Sequence, residues 1–231
     1  MTNPRLVDVR QKVLSKNDLL ARALRERFRD CGVFVVSLVS SPGSGKTAFL
    51  AKTLSLMRSN YRCAALVGDL ATENDAARLA HCHIPVKQIT TGTLCHLEAA
   101  MIESALADWD LKQLDFLFLE NVGNLVCPSS YDLGENLRLI LMSVTEGEDK
   151  PLKYPTIFNS ADIAVITKSD LAVAVEFDEK LAYTNILAVR PGMLVLSVSA
   201  KTEQGMQLVV DTLKMKQQTL RSCRPSLPHP V

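Results

Sequence analysis

The stretch Ser40-Ser41-Pro42-Gly43-Ser44-Gly45-Lys46-Thr47 constrains this chain more than any other, because of what stands on either side of it. An apolar, β-branched run, Val33 to Val39, precedes it, and a pattern of helical spacing, Thr47 to Met57, follows. A strand that turns through glycines into a helix is a phosphate cradle. Pro42 through Ala48 can wrap an anion, the backbone N–H groups from Gly43 onward aiming at it while the helix N-terminus adds positive potential. Lys46 can then reach the β- and γ-phosphates, and the Thr47 hydroxyl can ligate Mg²⁺. Ser40 stands where the general pattern has its first glycine, which leaves the phosphate chemistry intact.

Further apolar runs bounded by turn residues read as buried strands: Ala64 to Val67, Phe116 to Leu119, Leu137 to Val144, Ile163 to Ile166 and Leu194 to Val198. Helical patterns lie between most of them, at Leu97 to Ala105, Asp178 to Leu187 and Met206 to Leu220. Strand-helix alternation predicts an α/β fold, a mainly parallel sheet flanked by helices on both faces, with ligands at the carboxyl ends of the strands. A leading helix is expected before the sheet, with Ser15-x-x-Asp18 as its capping box and Gly32 as its stop. The expected organisation is therefore a helical segment over 1–32 packed on a nucleotide-binding domain over 33–221, and a Pro-rich, disordered tail over 222–231.

Composition excludes some partners. The 26 Lys and Arg nearly cancel the 25 Asp and Glu without clustering, which argues against nucleic acid or an anionic membrane as the main partner. No apolar run has the length of a signal peptide or a membrane span, so a cytoplasmic location is expected, where the six cysteines are thiols or metal ligands rather than a disulfide framework.

Mg²⁺ needs oxygen ligands besides Thr47, and Asp69 and Glu120, each at the end of a strand-like run, are candidates; a helix cap or solvated turn would account for either alone. Lys46, Thr47, Asp69 and Glu120 form the expected catalytic set. Asn124 stands where Ras-like GTPases place a water-orienting Gln, so slow hydrolysis is expected. Thr167-Lys168-Ser169-Asp170 follows a later strand, where the Asp170 carboxylate can accept from the guanine N1–H and amine while the Lys168 stem covers the base; adenine lacks that donor pair. Ser199-Ala200-Lys201 resembles the second guanine-contacting loop. Cys95-His96 and Cys127 carry ligands that suit Ni²⁺ or Zn²⁺. On spacing alone, buried thiols and a satisfied histidine account for these three better. His81-Cys82-His83 is another possible cluster, although consecutive residues point apart on a helix.

These residues also carry a family resemblance. The phosphate loop, Gly68-Asp69, Asn74 to Arg78, Thr91-Gly92, Cys95-His96-Leu97, Glu120 to Pro128, Asp132 to Glu135, and the stretch Ser143 to Pro155 (SVTEGEDKPLKYP) are similar to the hydrogenase nickel-incorporation GTPases of the HypB family, from about Asn17 to Met206. The resemblance implies a fold of the dimerising SIMIBI class of P-loop GTPases, GTP-dependent dimerisation, and a nickel or zinc site at the subunit interface built from Cys95, His96 and Cys127. It also implies that Lys150 approaches the partner subunit's nucleotide. A HypA-like nickel-delivery protein would be a partner, and the hydrogenase large-subunit precursor an indirect one. Many members carry an N-terminal Cys-x-x-Cys-Gly-Cys motif or a His-rich stretch; here no Cys precedes Cys31 and no His precedes His81, so that second metal site is expected to be lacking. Thr167 replaces the Asn that usually opens the guanine motif. A urease-directed role, a small-molecule kinase and a metal carrier with a structural nucleotide site are the competing readings.

Overall fold

A computed structural model describes residues 4–69 and 74–222. In chain order the regular elements are α1 (Pro4–Cys31), β1 (Phe34–Ser40), α2 (Lys46–Met57), β2 (Cys63–Asp69), α3 (Asn74–Ala80), β3 (Val86–Thr90), α4 (Ala99–Ala105), β4 (Phe116–Glu120), β5 (Leu137–Ser143), α5 (Lys150–Lys153), α6 (Pro155–Ser160), β6 (Ile163–Thr167), α7 (Glu179–Val189), β7 (Leu194–Ser197) and α8 (Met206–Ser222). The strands form one sheet in the order β3-β2-β4-β1-β5-β6-β7. Every pairing is parallel. All carboxyl ends therefore lie along one edge, which carries the end of β2 and the loops after β1, β4, β6 and β7.

Alternate residues of β1 serve opposite faces. Phe34, Val36 and Leu38 join a core built with Phe49, Leu50 and Leu54 of α2 and Val209, Val210 and Leu213 of α8. On the other face Val35 meets Leu24 and Phe28 of α1 and Ile102 of α4, while Val39 meets Phe158 of α6 and Ile186 of α7. Burial on both faces explains why the central strands are continuous apolar runs rather than alternating ones.

The structure departs from the sequence expectations at several elements, among them the short helices α5 and α6, which were not expected. The leading helix starts at Pro4, so Ser15 is not its cap; it lies inside α1, where its hydroxyl donates to the Gln11 carbonyl at 2.8 Å, the usual outlet for a serine within a helix. The strand β3 was not expected, because Val86-Lys87-Gln88-Ile89-Thr90 is a half-exposed edge strand with two polar residues inside it. α3, a seven-residue helix between β2 and β3, was also not expected. The expected Pro-rich tail lies outside the described residues from Cys223 onward, while Ser222 closes α8.

α1 is pinned to the segment between β4 and β5. The Arg25 guanidinium donates to both Asp132 carboxylate oxygens at 2.6 and 2.7 Å, and the buried Asn17 donates to the Asp132 carbonyl at 2.8 Å. Burial would raise the Asp132 carboxyl, but Arg25 and the Gly134 N–H outweigh it and hold the group below the ordinary carboxylate value. A carboxyl depressed in the folded state contributes stability that is present above its unfolded pKa, about 3.9, and is lost as pH falls through the lower folded value. Asp132→Asn should therefore flatten the loss of stability below about pH 4, measured by denaturant unfolding across a pH series; a slope matching that of the parent would refute the assignment.

Candidate nucleotide and metal sites

The phosphate loop owes its shape to left-handed glycines and to a hydroxyl cluster beneath it. Gly43 has φ 74° and Gly45, the N-cap of α2, φ 89°, conformations that residues with a Cβ rarely adopt. The buried Ser40 hydroxyl donates to the Ser41 carbonyl at 2.7 Å and accepts from Lys46 Nζ at 2.8 Å and Ser44 Oγ at 2.5 Å. Its side chain is therefore turned under the loop, which accounts for the tolerance of Ser at the first glycine position.

A cavity of about 520 Å³ opens over this loop, lined by Pro42, Gly43, Gly45, Lys46, Thr47 and Ala48 from the loop side. Asp69 from the end of β2, Glu120 from the end of β4, and Arg78 of α3 line its other side. The Thr47 hydroxyl donates to Glu120 Oε1 at 2.7 Å. A hydroxyl and two carboxylates in one cavity form a hard oxygen set of the kind Mg²⁺ takes.

A second cavity of about 210 Å³ adjoins the first, sharing Gly45, Ala48 and Lys168 with it, and is otherwise lined by Phe49, Thr167, Asp170, Leu171, Val198, Ala200 and Lys201. A phosphate cradle continuous with a flat apolar slot has the form of a nucleotide site. Thr167 and Lys168 join the two halves. The Thr167 hydroxyl donates to the Ser44 carbonyl at 2.6 Å, and Lys168, itself at φ 58°, donates from Nζ to the Gly43 carbonyl at 2.7 Å. Thr167 thus ties the base loop to the phosphate loop through its short hydroxyl. Ser199 is buried beside Asp170's loop; its own hydroxyl accepts from Thr202 N–H at 3.1 Å, and Ser169 N–H bonds to the Val198 carbonyl.

Lys150 lines neither cavity. Its ammonium stands 3.9 Å from Glu146 Oε2 and over the Tyr154 ring, and that same carboxylate oxygen accepts from Ser41 Oγ. A charged chain therefore runs from Lys150 through Glu146 to the phosphate loop.

Among the described residues one group of metal-capable side chains is assembled: Cys95, His96 and Cys127, whose ligand atoms all lie within 4.8 Å of one another. Cys95 Sγ donates to Cys127 Sγ at 2.7 Å, and His96 Nδ1 lies 3.9 Å from Cys95 Sγ. The bond from Cys95, with burial, raises the Cys127 thiol above its ordinary value. Burial lowers the His96 imidazole against the opposing pull of the Glu98 carboxylate, so the ring is neutral at pH 7, as a ligand must be. His81-Cys82-His83 does not form a cluster: Cys82 is buried with its sulfur on the Ala51 carbonyl at 3.4 Å, while both histidines are exposed.

Several residues hold these sites in ways not read from sequence, Asn124 among them, which was expected only at the water-orienting position. Asn121, 2 % exposed, accepts through Oδ1 from Leu97 N–H at 3.0 Å and Val122 N–H at 2.9 Å, stitching the His96 segment to the end of β4. Gly123 packs so closely on the phosphate loop that a Cβ there would stand 2.9 Å from Pro42 Cα. Asn124 accepts through Oδ1 from Val126 N–H at 2.7 Å and Cys127 N–H at 3.2 Å, so its amide shapes the turn that carries Cys127. Arg138, 8 % exposed and paired with Glu135 at 2.7 Å, donates to the carbonyls of Tyr131 at 2.7 Å and Pro128 at 3.5 Å, anchoring that turn to the sheet. Asn17 Oδ1 accepts from Ala99 N–H at 2.9 Å. Buried amides that bond to backbone carry no local sequence pattern, though Asn121 and Asn124 lie within the quoted run Glu120 to Pro128.

Comparison with known proteins agrees with this geometry. Residues 34–196 match the family model described as CobW/HypB/UreG, nucleotide-binding domain. The chain is 44% identical over 207 residues to the hydrogenase maturation factor HypB of Rhizobium leguminosarum bv. viciae, covering 90% of this chain and 69% of that protein. It is 42% identical over 218 residues to the hydrogenase/urease maturation factor HypB of Helicobacter hepaticus, covering 93% and 89%. Its fold superposes with a TM-score of 0.84 and 38% identity on HypB from Helicobacter pylori in complex with nickel, covering 92% of this chain and 99% of that one. The cradle, the seven-stranded parallel sheet and these likenesses together show that this chain belongs to the HypB family of P-loop GTPases.

Proposed function

We propose that the protein is a GTP-hydrolysing metallochaperone that carries nickel, or zinc, on Cys95, His96 and Cys127 and couples GTP-dependent dimerisation to delivery of nickel into a hydrogenase precursor. The observation that supports this most directly is the segment Glu120 to Cys127. It begins at Glu120, hydrogen-bonded to Thr47, passes Gly123 against Pro42, and ends in the Cys127 turn shaped by Asn124. One short piece of chain thus belongs to both the phosphate cavity and the metal triad, and Asn121 at its start holds the other metal segment.

In this reading Lys46 and the loop amides bind the β- and γ-phosphates, and Asp170, Thr167, Lys168, Ala200 and Lys201 receive the guanine, with the buried Ser199 bracing their loop. Thr47, Asp69 and Glu120 would hold Mg²⁺, which neutralises charge on the phosphate oxygens. Three ligands per chain leave a metal sphere incomplete, and a two-fold axis duplicates them, so nucleotide and metal favour the same dimer. Lys150 would then face the partner's nucleotide. An accessory nickel-delivery protein supplies the cargo. Among the described residues no helix is long and apolar enough to cross a membrane, and a cytoplasmic site of action fits reduced thiol ligands.

Sedimentation velocity combined with equilibrium dialysis against Ni²⁺ or Zn²⁺ tests the coupling. A non-hydrolysable GTP analogue should raise the mass to that of a dimer and tighten metal binding relative to GDP. Identical mass and metal affinity with either nucleotide would overturn the proposal.

A further inference from the structure

We infer that Glu98 is a positioning residue for the metal site: its carboxylate takes the N–H of His96 Nε2 and so leaves Nδ1 as the atom that faces the metal. The inference rests on the reading of Cys95, His96 and Cys127 as ligands, and goes beyond it by naming which histidine nitrogen binds and what fixes it.

The ring is oriented from several sides. His96 Nε2 is buried without a hydrogen-bond partner among the described residues, and the group facing it is Glu98 Oε1 at 3.4 Å. Nδ1 points the other way, 3.9 Å from Cys95 Sγ. Tyr131 covers the ring at a centroid separation of 3.8 Å and a tilt of 35°, which restricts flipping. The backbone on either side is fixed, because Leu97 N–H is held by Asn121 and Ala99 N–H by Asn17.

The Glu98 carboxylate is not engaged by the helix it opens. Glu98 is the N-cap residue of α4, a position whose side chain usually caps the helix, yet it makes no capping bond. Asn17, reaching from α1, satisfies the first helical amide, Ala99, while the Met101 N–H bonds to the Glu98 backbone carbonyl at 3.0 Å. The Glu98 side chain lies instead toward His96, with Oε1 3.4 Å from Nε2. A carboxylate on the non-ligating nitrogen fixes the tautomer of a metal-bound histidine and raises its basicity; removing such a partner typically costs 10- to 100-fold in metal affinity.

Metal-free protein labelled with ¹⁵N-histidine reads the tautomer directly, with His96 assigned by comparison with His96→Gln. The parent should show the Nε2–H form, and Glu98→Ala should shift it toward a mixture. Competition titration with Zn²⁺ should then show about 10- to 100-fold weaker binding for Glu98→Ala and a smaller loss for Glu98→Gln, which still offers an acceptor of the same length. Thermal unfolding reports whether each variant is folded, and Glu98→Gln serves if the alanine variant is not. An Nδ1–H tautomer in the parent, unchanged metal affinity in both variants, or loss of an oxygen ligand in X-ray absorption of the Zn²⁺-loaded alanine variant would overturn the inference. Absence of any metal binding by the parent would instead defeat the ligand assignment itself, whatever the tautomer.

Discussion

Replacing Lys46 by alanine should lower the rate constant of GTP hydrolysis by about 10²- to 10³-fold, the usual cost of removing one donor from the place where negative charge develops. Lys46 is only 8 % exposed, with its ammonium on the Ser40 hydroxyl at the floor of the cradle. In so enclosed a setting its field acts on the transferring phosphoryl with little screening by water. Ser40 and the glycine turns remain in the variant, so nucleotide binding should persist more than turnover does. Single-turnover phosphate release without any acceptor checks this, and also separates a GTPase from a kinase, which releases little phosphate on its own. Unaltered turnover in Lys46→Ala would show that hydrolysis takes place elsewhere.

The double variant Cys95→Ala, Cys127→Ala should lose more than about 100-fold in Ni²⁺ or Zn²⁺ affinity, since removing even an outer partner of a ligand costs 10- to 100-fold. Two of the three clustered metal-capable side chains disappear while the phosphate cavity keeps its lining. The pH dependence follows from the thiols. Their mutual hydrogen bond, chiefly, and burial raise Cys127, so at neutral pH it is protonated and metal must displace the proton. Metal affinity in the parent should therefore rise with pH and fall as pH drops, while the double variant shows neither the affinity nor the slope. Equilibrium dialysis across a pH series measures both; an unchanged stoichiometry in the variant would remove the site assignment.

How much of this was legible in the sequence depended on the kind of interaction. The phosphate loop and the central strands were readable because glycine geometry and two-sided burial leave local marks at Gly43, Gly45 and along Val33 to Val39. The edge strand β3 was not, because half-exposed Lys87 and Gln88 interrupt its apolar residues. Nor was the start of α1, because Ser15 inside a helix looks like Ser15 at its beginning. The proximity of Cys95 and Cys127, 32 positions apart, could not be derived from spacing; it entered through resemblance, and the geometry then brought the two sulfurs to 2.7 Å. The supports of the site were least visible of all. Asn17, Asn121 and Arg138 act on backbone groups of distant segments, such as Ala99, Leu97 and Tyr131, and nothing local in sequence distinguishes such a residue from one in a solvated turn.

The tether between the base loop and the phosphate loop has a consequence for timing. Thr167 and Lys168 are fastened to the carbonyls of Ser44 and Gly43, so the pocket for the base and the cradle for the first two phosphates form a single receptor. Such a receptor holds GDP by the same contacts as GTP. Discrimination between the two nucleotides must then come from the far rim of the cavity, where Asp69, Arg78 and Gly123 stand. After hydrolysis the diphosphate keeps the contacts it shared with GTP, so its departure is a step distinct from the cleavage. In the proposed coupling of nucleotide to dimerisation, the interval during which the subunits stay apart is then a nucleotide residence time. An exchange partner that prised Lys168 off Gly43 would shorten that interval without touching the catalytic residues.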